Sequence, residues 1–289
     1  MAARANELPV DEPLHEYYAE ANVLSADLIH PLKETIKARA KVKLPKDGHY
    51  QFKKADPFRF EGIISYHSGY TQVAGHPSSK KDGFATLSTS VLEGLNVLDV
   101  VTADRVVAQI STVHPKFGKG PVPSVTFLGT RFENLRIGGH KVEVERNLQI
   151  LGPKRGGNDS YFDDNNVKAD IAKQRDEVAK TKGFADWADE AYPKDPVALN
   201  GNAVLQCSVV KGITGAPVEC FGHVIDLPHF GRIYLGELKV TREPSKDPKE
   251  YDKYRFRLTM VRLQMGCIAQ GSSTAGTAST NGTGKGGGG

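Results

Sequence analysis

The chain has 289 residues, of which 39% are hydrophobic, and 38 Lys and Arg stand against 34 Asp and Glu for a net charge of +4. This size and composition exclude a chain that is disordered throughout. The net charge is too small to indicate nucleic-acid binding by itself. No run approaches the ~18 apolar residues of a membrane-spanning helix, and the first residues lack the apolar segment of a secretory signal. We therefore expect no membrane span and a cytoplasmic location.

Most of the chain shows the alternation of apolar and polar residues that is typical of strands. Residues 1–15 carry two Pro and no periodicity, which predicts a flexible arm. Alternation begins at Tyr17 and returns in short segments that end at Gly, Pro or Asn. The segment Gly69–Gly83 reads as a loop, and Gly138-Gly139 predicts a two-residue hairpin turn. The pattern predicts a mainly-β domain over residues 16–270, an antiparallel sandwich or a partly closed barrel.

Three segments near the end of the chain have patterns of their own. Val167, Ile171 and Val178 recur at helical spacing, which predicts a short helical insertion near residues 163–192, with a second short helix over its last residues. The run Tyr254–Met265 has apolar residues at both parities, as a strand buried on both faces would. Residues 271–289 are rich in Gly, Ser and Thr. We expect them to form a disordered tail whose removal leaves the melting temperature almost unchanged.

A basic segment is the first candidate for binding. From Lys33 to Arg59 there are nine basic and three acidic residues, a local charge of +6. In a strand, alternate residues of this segment would stand on one face at intervals of about 6.6 Å. Such a row matches a polyanion, whereas an edge strand that uses Lys to block aggregation is the alternative. The predicted row comprises Lys37, Arg39, Lys41 and Lys43.

The segment GHVIDLPHFG is the second candidate, because it contains His223, Asp226 and His229. Imidazole and carboxylate groups suit zinc or iron. Pro228 interrupts a strand, so a common metal site requires a turn at this point. In the alternative interpretation these are an ordinary strand residue and ordinary loop residues with satisfied ring nitrogens.

The three cysteines are too few for a disulfide scaffold, which favours a reducing compartment. Cys207 and Cys220 lie on either side of a predicted turn over Lys211–Pro217. They would form a disulfide in an exported protein, and they would otherwise be small core residues. The sequence has no G-x-S-x-G motif and no credible phosphate-binding loop. We expect no cofactor, and the residues favour a protein that is not an enzyme.

Two stretches resemble a known family. They are ATLSTSVLEGLNVLDVVTADRVVAQISTV at Ala85–Val113 and SVTFLGTRFENLRIGGHKVEV at Ser124–Val144. Their strand and turn pattern resembles that of the bacterial choice-of-anchor P proteins, and Gly231–Met265 is similar to the closing strands of that family. The resemblance implies a β architecture, a structural or binding role and a cell-envelope location, with no catalytic residues.

Two hypotheses about function follow. The first is a non-catalytic structural or interaction protein that self-assembles into a homo-oligomer and binds an acidic polymer through its basic strand. The second is a small-ligand or metal-binding β-barrel protein, or an enzyme, with its site around His223, Asp226 and His229.

Overall fold

The computed structural model describes residues 15–30, 33–78, 83–115, 122–152, 160–184, 197–199, 202–245, 252–266 and 270–284. The first strands are β1 (His15–His30), β2 (Glu34–Arg39), β3 (Val42–Lys43), β4 (His49–Ala55), β5 (Phe58–Phe60), β6 (Ile64–Tyr66), β7 (Ser68–Pro77), β8 (Gly83–Val97), β9 (Val101–Pro115), β10 (Ser124–Thr126) and β11 (Arg131–Glu133). Next come β12 (Arg136–Ile137), β13 (His140–Lys141), β14 (Glu143–Arg146) and the helix α1 (Asn165–Val178). The last are β15 (Val197–Leu199), β16 (Asn202–Ser208), β17 (Val210–Thr214), β18 (Cys220–Phe221), β19 (Val224–Leu227), β20 (Gly231–Glu243), β21 (Lys253–Met265) and β22 (Gln270–Gly284).

Two antiparallel sheets of ten strands each pack together as a sandwich. The first sheet has the order β15-β16-β20-β21-β22-β1-β2, and β3, β18 and β19 are attached to it. The second has the order β13-β12-β9-β8-β6-β5 and also contains β4, β7, β10 and β11. Strands β1 and β22 of the first sheet lie over β8 of the second. The mainly-β prediction is confirmed, and of its two forms the sandwich is the one observed.

Alternation along the strands decides which side chains enter the core. On β1, Ala19, Ala21 and Val23 are fully buried, while Glu20 and Asn22 between them remain partly exposed. The side chains of a strand point alternately to opposite faces, so an apolar residue at every second position builds one buried face. Burial of each large apolar side chain contributes roughly 1.5–3 kcal/mol.

Strand β21 changes the parity of its buried residues halfway along, which corrects the prediction of a strand buried on both faces. Its register on β22 passes from Thr259 to Val261 and leaves Met260 unpaired. Gly236 of β20 and Gly276 of β22 lie at the same level, both with a φ of +64°. The register is the same on both sides of this level, so no residue is inserted; Met260 lies opposite both glycines, whose left-handed backbone breaks the alternation of side chains. Polar residues therefore stay on the solvent side of β21 on both sides of Met260.

Replacement of Gly276 by Ala will destabilise the protein, because a left-handed backbone costs a residue with a Cβ about 1–2 kcal/mol. The new Cβ would also lie 3.2 Å from Cγ1 of Val106. The control is Gly212→Ala on β17, where the nearest atom to a new Cβ is 3.8 Å away. Urea unfolding of the two variants measures the difference, and equal midpoints would contradict a structural role for Gly276.

The predicted disordered tail is wrong for residues 271–284, which belong to β22. This strand lies between β1 and β21 and pairs with both along its length. Backbone hydrogen bonds to two neighbours do not require large apolar side chains, so composition alone misled the prediction. Residues 285–289 lie outside the described part of the chain.

The loop predicted at Gly69–Gly83 is also wrong, since β7 covers residues 68–77. Gly75 of this strand is buried. A Cβ at this position would lie 2.6 Å from the ring of Tyr17, so a larger residue does not fit. The close approach of two sheets, rather than a turn, explains this glycine.

The helical insertion and the hairpin turn were predicted correctly. Asp164 caps α1 by accepting hydrogen bonds from the N–H groups of Asn166 and Val167, at 2.6 and 3.1 Å. Gly138 and Gly139 connect β12 and β13 with φ values of 56° and 80°. The second short helix, predicted at 185–192, and residues 1–14 of the predicted arm lie outside the described residues. No helix in the described part of the chain is long and apolar enough to cross a membrane.

Candidate functional site

The solvent side of the first sheet, which we call the outer face, carries a row of polar residues that crosses its strands. Lys43 of β3 pairs with Glu20 of β1, Glu20 with Ser279 of β22, Ser279 with Arg257 of β21, and Arg257 with Lys239 of β20. Directly paired residues in an antiparallel sheet lie on the same face. The row therefore brings cations and hydroxyl groups from distant parts of the sequence onto one surface.

Tyr18 and Glu20 organise the β3 end of this row. The Nζ atom of Lys43 lies 5.5 Å from the centroid of the Tyr18 ring, and the guanidinium carbon of Arg255 lies 5.3 Å from it. The Nζ atom of Lys41 is 2.9 Å from Oε1 of Glu20, and the Tyr18 hydroxyl donates a hydrogen bond of 3.2 Å to Oε2. Partial burial, helped by the Glu20 carboxylate, raises the pKa of Tyr18. The ring is therefore a neutral contact for the two cations.

The predicted cationic row is formed only in part. Lys37, Lys41 and Lys43 are exposed. Arg39 instead lies with its guanidinium carbon 4.6 Å from the centroid of Phe58, and its Nε donates a hydrogen bond of 3.5 Å to the Tyr66 hydroxyl. The four residues do not form one row, because Ala40 has a φ of +45° and interrupts the alternation between β2 and β3. The break at Ala40 separates Lys37 and Arg39 of β2 from Lys41 and Lys43, so the predicted single face is interrupted.

The edges of the two sheets meet beside these lysines. The Thr71 hydroxyl of β7 donates a hydrogen bond of 2.6 Å to the carbonyl of Ala40. Next to β7 lies β4, which among the described strands pairs with β7 alone. The rings of Tyr50 and Phe52 on β4 are 57% and 52% exposed. This is an open edge with an aromatic surface.

A shallow pocket of about 150 Å³ lies on the outer face between β1, β22 and β21. Ser279 is only 4% exposed, and neither its Oγ nor Oδ1 of Asn22 has a hydrogen-bond partner among the described residues. Within the described chain, the exposed Arg257 has no ion pair. The composition of residues 271–289 predicts a disordered tail that would include Ser279. No sequence pattern therefore indicated this pocket. The lining residues are Glu20, Ala21, Asn22, Ser25, Arg257, Thr259, Thr274, Thr277 and Ser279.

The predicted metal ligands are not brought together. His223 is 1% exposed, and burial lowers its pKa to about 4, with the Glu237 carboxylate acting in the opposite direction. Asp226 is a partly exposed residue of β19, and His229 is exposed in the turn that follows. An extended strand advances about 3.3 Å per residue, so β19 separates the two histidines. Among the described residues, no three or more His, Cys, Asp or Glu side chains are placed to hold a metal ion.

The predicted disulfide is also not formed. Cys207 and Cys220 are both free thiols. Cys207 is buried on β16, and burial raises its pKa to about 12, whereas Cys220 on β18 is only partly buried. The intervening segment is not a simple turn, because residues 210–214 form β17 and pair with β14. The two cysteines are therefore not opposite each other in a hairpin.

The structure contains a buried pair of histidines that no sequence pattern indicated. The His15 ring of β1 stacks on Phe84 of β8 with 4.3 Å between centroids, and the His114 ring of β9 is 5.1 Å from that of His15. The Nε2 atoms of both histidines are buried, and neither has a hydrogen-bond partner in the described part of the chain. Burial lowers the pKa of His15 to about 4 and that of His114 to about 3, where the neighbouring His15 contributes. Only the packing of the sheets makes these two residues neighbours.

The architecture defines the class of the protein as a mainly-β sandwich with a polar outer face. The chain belongs to the family described as domain of unknown function DUF8256, whose model matches residues 15–241. The match ends within β20, so Arg257 and Ser279 lie beyond the matched range. No curated protein and no solved structure shows significant similarity to the chain.

Proposed function

We propose that this protein is a non-catalytic interaction protein that binds an acidic polysaccharide on the outer face of its first sheet. The observation that carries the proposal is the row of cations that continues from Lys43 to Arg257 and Lys239. Neither Arg257 nor Lys239 has an ion pair within the described chain, so both charges are available to an anionic partner. Cations without internal partners attract polyanions more strongly than cations held in salt bridges.

Hydroxyl groups beside these cations favour a sugar polymer over a nucleic acid. Thr259, Thr274 and Thr277 line the pocket of the outer face together with Arg257. They can donate hydrogen bonds to sugar hydroxyls and accept hydrogen bonds from them. Single-stranded nucleic acids instead bind largely by stacking bases on aromatic rings, and the Tyr18 ring of this face is already in contact with Lys43 and Arg255. An acidic polysaccharide also agrees with the cell-envelope location that the family resemblance implies.

Binding to heparin tests the proposal. We expect the double variant Lys43→Gln/Lys239→Gln to elute at lower salt than the wild type. Its log affinity should also depend less steeply on log salt, by about one unit for each lost anion contact. The matched control is Lys168→Gln/Lys173→Gln, which removes two charges from α1.

Two results would refute this function. One is equal elution of the wild type and the outer-face variant, and the other is tighter binding to single-stranded DNA than to heparin. If the wild type elutes at or below physiological salt, Lys41 and Lys43 protect a sheet edge instead. Light scattering would then show more self-association for a Lys41→Gln/Lys43→Gln variant.

Self-assembly remains a second candidate because of the open edge of β4. An edge strand presents unpaired N–H and C=O groups to another chain. The exposed rings of Tyr50 and Phe52 add apolar contact area at this edge. Lys53 and Lys54 are exposed on the same strand and oppose such pairing by charge.

A further inference from the structure

We infer that the pocket on the outer face is a subsite for a sugar that carries a carboxylate, that is, one hexuronate residue. The inference rests on the proposed function and names the part of the polymer that the pocket recognises. It is carried by four features of the pocket: its volume, the buried hydroxyl of Ser279, the buried amide oxygen of Asn22 and the unpaired guanidinium of Arg257.

Two polar atoms of the pocket wall have unused hydrogen-bonding capacity. The Ser279 hydroxyl and Oδ1 of Asn22 are buried without partners. A buried polar group that lacks a hydrogen bond costs about 1–3 kcal/mol, so a ligand that supplies the missing bond gains binding energy. The Oδ1 atom accepts a hydrogen bond and the serine hydroxyl can donate or accept one, which matches neighbouring hydroxyl groups of a sugar ring.

The charges of the pocket favour an acidic sugar over a neutral one. Arg257 is exposed and forms no ion pair within the described chain, and a guanidinium binds a carboxylate with two parallel hydrogen bonds. Glu20 is already engaged, because Lys41 approaches one oxygen at 2.9 Å and the Tyr18 hydroxyl donates to the other. The negative charge of Glu20 is thus balanced, whereas the positive charge of Arg257 is left for the ligand.

The dimensions of the pocket fit one sugar ring. A volume of about 150 Å³ corresponds to roughly five water molecules of the liquid. One sugar ring therefore lies partly inside the pocket, and the neighbouring sugar units of the polymer lie on the open outer face. There they approach Lys43 on one side of the pocket and Lys239 on the other, which belong to the same row.

Titration calorimetry with glucuronate, glucose and acetate tests the subsite. We expect saturable binding of glucuronate, weaker binding of glucose and weaker binding of acetate. Arg257→Gln should reduce the affinity for glucuronate at least tenfold and abolish its preference over glucose. Ser279→Ala should weaken both sugars about fivefold. The control Lys168→Gln changes an exposed cation of α1 outside the pocket, and it should retain glucuronate binding.

Melting temperatures establish that each variant is folded. If Ser279→Ala does not fold, Thr277→Val removes another hydroxyl of the lining and should weaken both sugars similarly. Acetate binding as tight as glucuronate, with no effect of either hydroxyl variant, would overturn the sugar assignment. Normal heparin binding by a protein that binds no glucuronate would overturn the subsite and leave the proposed function standing. Loss of heparin binding alone, with glucuronate binding intact, would refute the proposed function instead.

Discussion

A chain that ends after residue 269 will not form the two-sheet structure. It lacks β22, which lies between β1 and β21 in the first sheet. Its removal leaves the facing edges of two long strands without their hydrogen-bond partners and exposes the core beneath Ala275 and Ala278. Unpaired backbone groups and lost burial both disfavour the folded state. We expect no cooperative thermal transition from the truncated protein.

The control for this experiment is a chain that ends after Gly284 and keeps all of β22. Its melting temperature should match that of the full chain. Circular dichroism and differential scanning calorimetry compare the three proteins. A truncated chain that melts cooperatively within a few degrees of the full chain would show that β22 is dispensable. Recovery of a transition on adding a peptide of residues 270–289 would show that the strand can be supplied separately.

Acidification between pH 6.5 and about 3 will destabilise the protein more than its carboxyl groups alone would. Burial lowers the pKa of His15 and His223 to about 4 and that of His114 to about 3, from an ordinary value of 6.5. In this window the unfolded chain binds protons that the folded chain does not, so stability falls as the pH falls. It is lost progressively below pH 6.5, and the loss is complete once the folded pKa values have been passed. Each pH unit within the window costs about 1.4 kcal/mol per histidine.

Variants of the buried pair separate the histidine effect from that of the carboxyl groups. We expect His15→Gln/His114→Gln to have a shallower dependence of unfolding free energy on pH, because glutamine does not take up a proton. The control His140→Gln replaces an exposed histidine of β13 and should keep the wild-type slope. Urea unfolding at several pH values measures the slopes. Identical slopes for the double variant and the wild type would contradict the assignment, as would ring proton shifts of His114 that titrate near pH 6.5.

Features that depend on neighbours in the sequence were predictable. The alternation in β1 indicates which side chains are buried, because the period of a strand is a local property. Gly138 and Gly139 are together sufficient for a hairpin turn, and the spacing of Val167 and Val178 indicates the helix α1. These signals arise from backbone geometry over a few residues, so they need no knowledge of the partner strand.

Breaks in the alternation within strands already lie beyond that reach. The apolar residues at both parities of β21 were taken for burial on both faces, whereas a break in the alternation at Met260, opposite Gly236 and Gly276, explains them. The left-handed backbone of Ala40 likewise separates Arg39 from Lys41 and Lys43. One such break reverses the side of all the residues that follow, and the residue types do not reveal where it lies.

The order of the strands was decided by the tertiary structure alone. Backbone hydrogen bonds are the same for every residue type except proline, so composition does not state which strand will pair with a segment rich in Gly, Ser and Thr. The first and last described strands, β1 and β22, are neighbours in the sheet, and this pairing creates the pocket of Asn22 and Ser279. Packing of the second sheet against β1 likewise creates the pair of His15 and His114. The sequence by itself determined the strands and their buried faces, and long-range pairing determined which side chains meet.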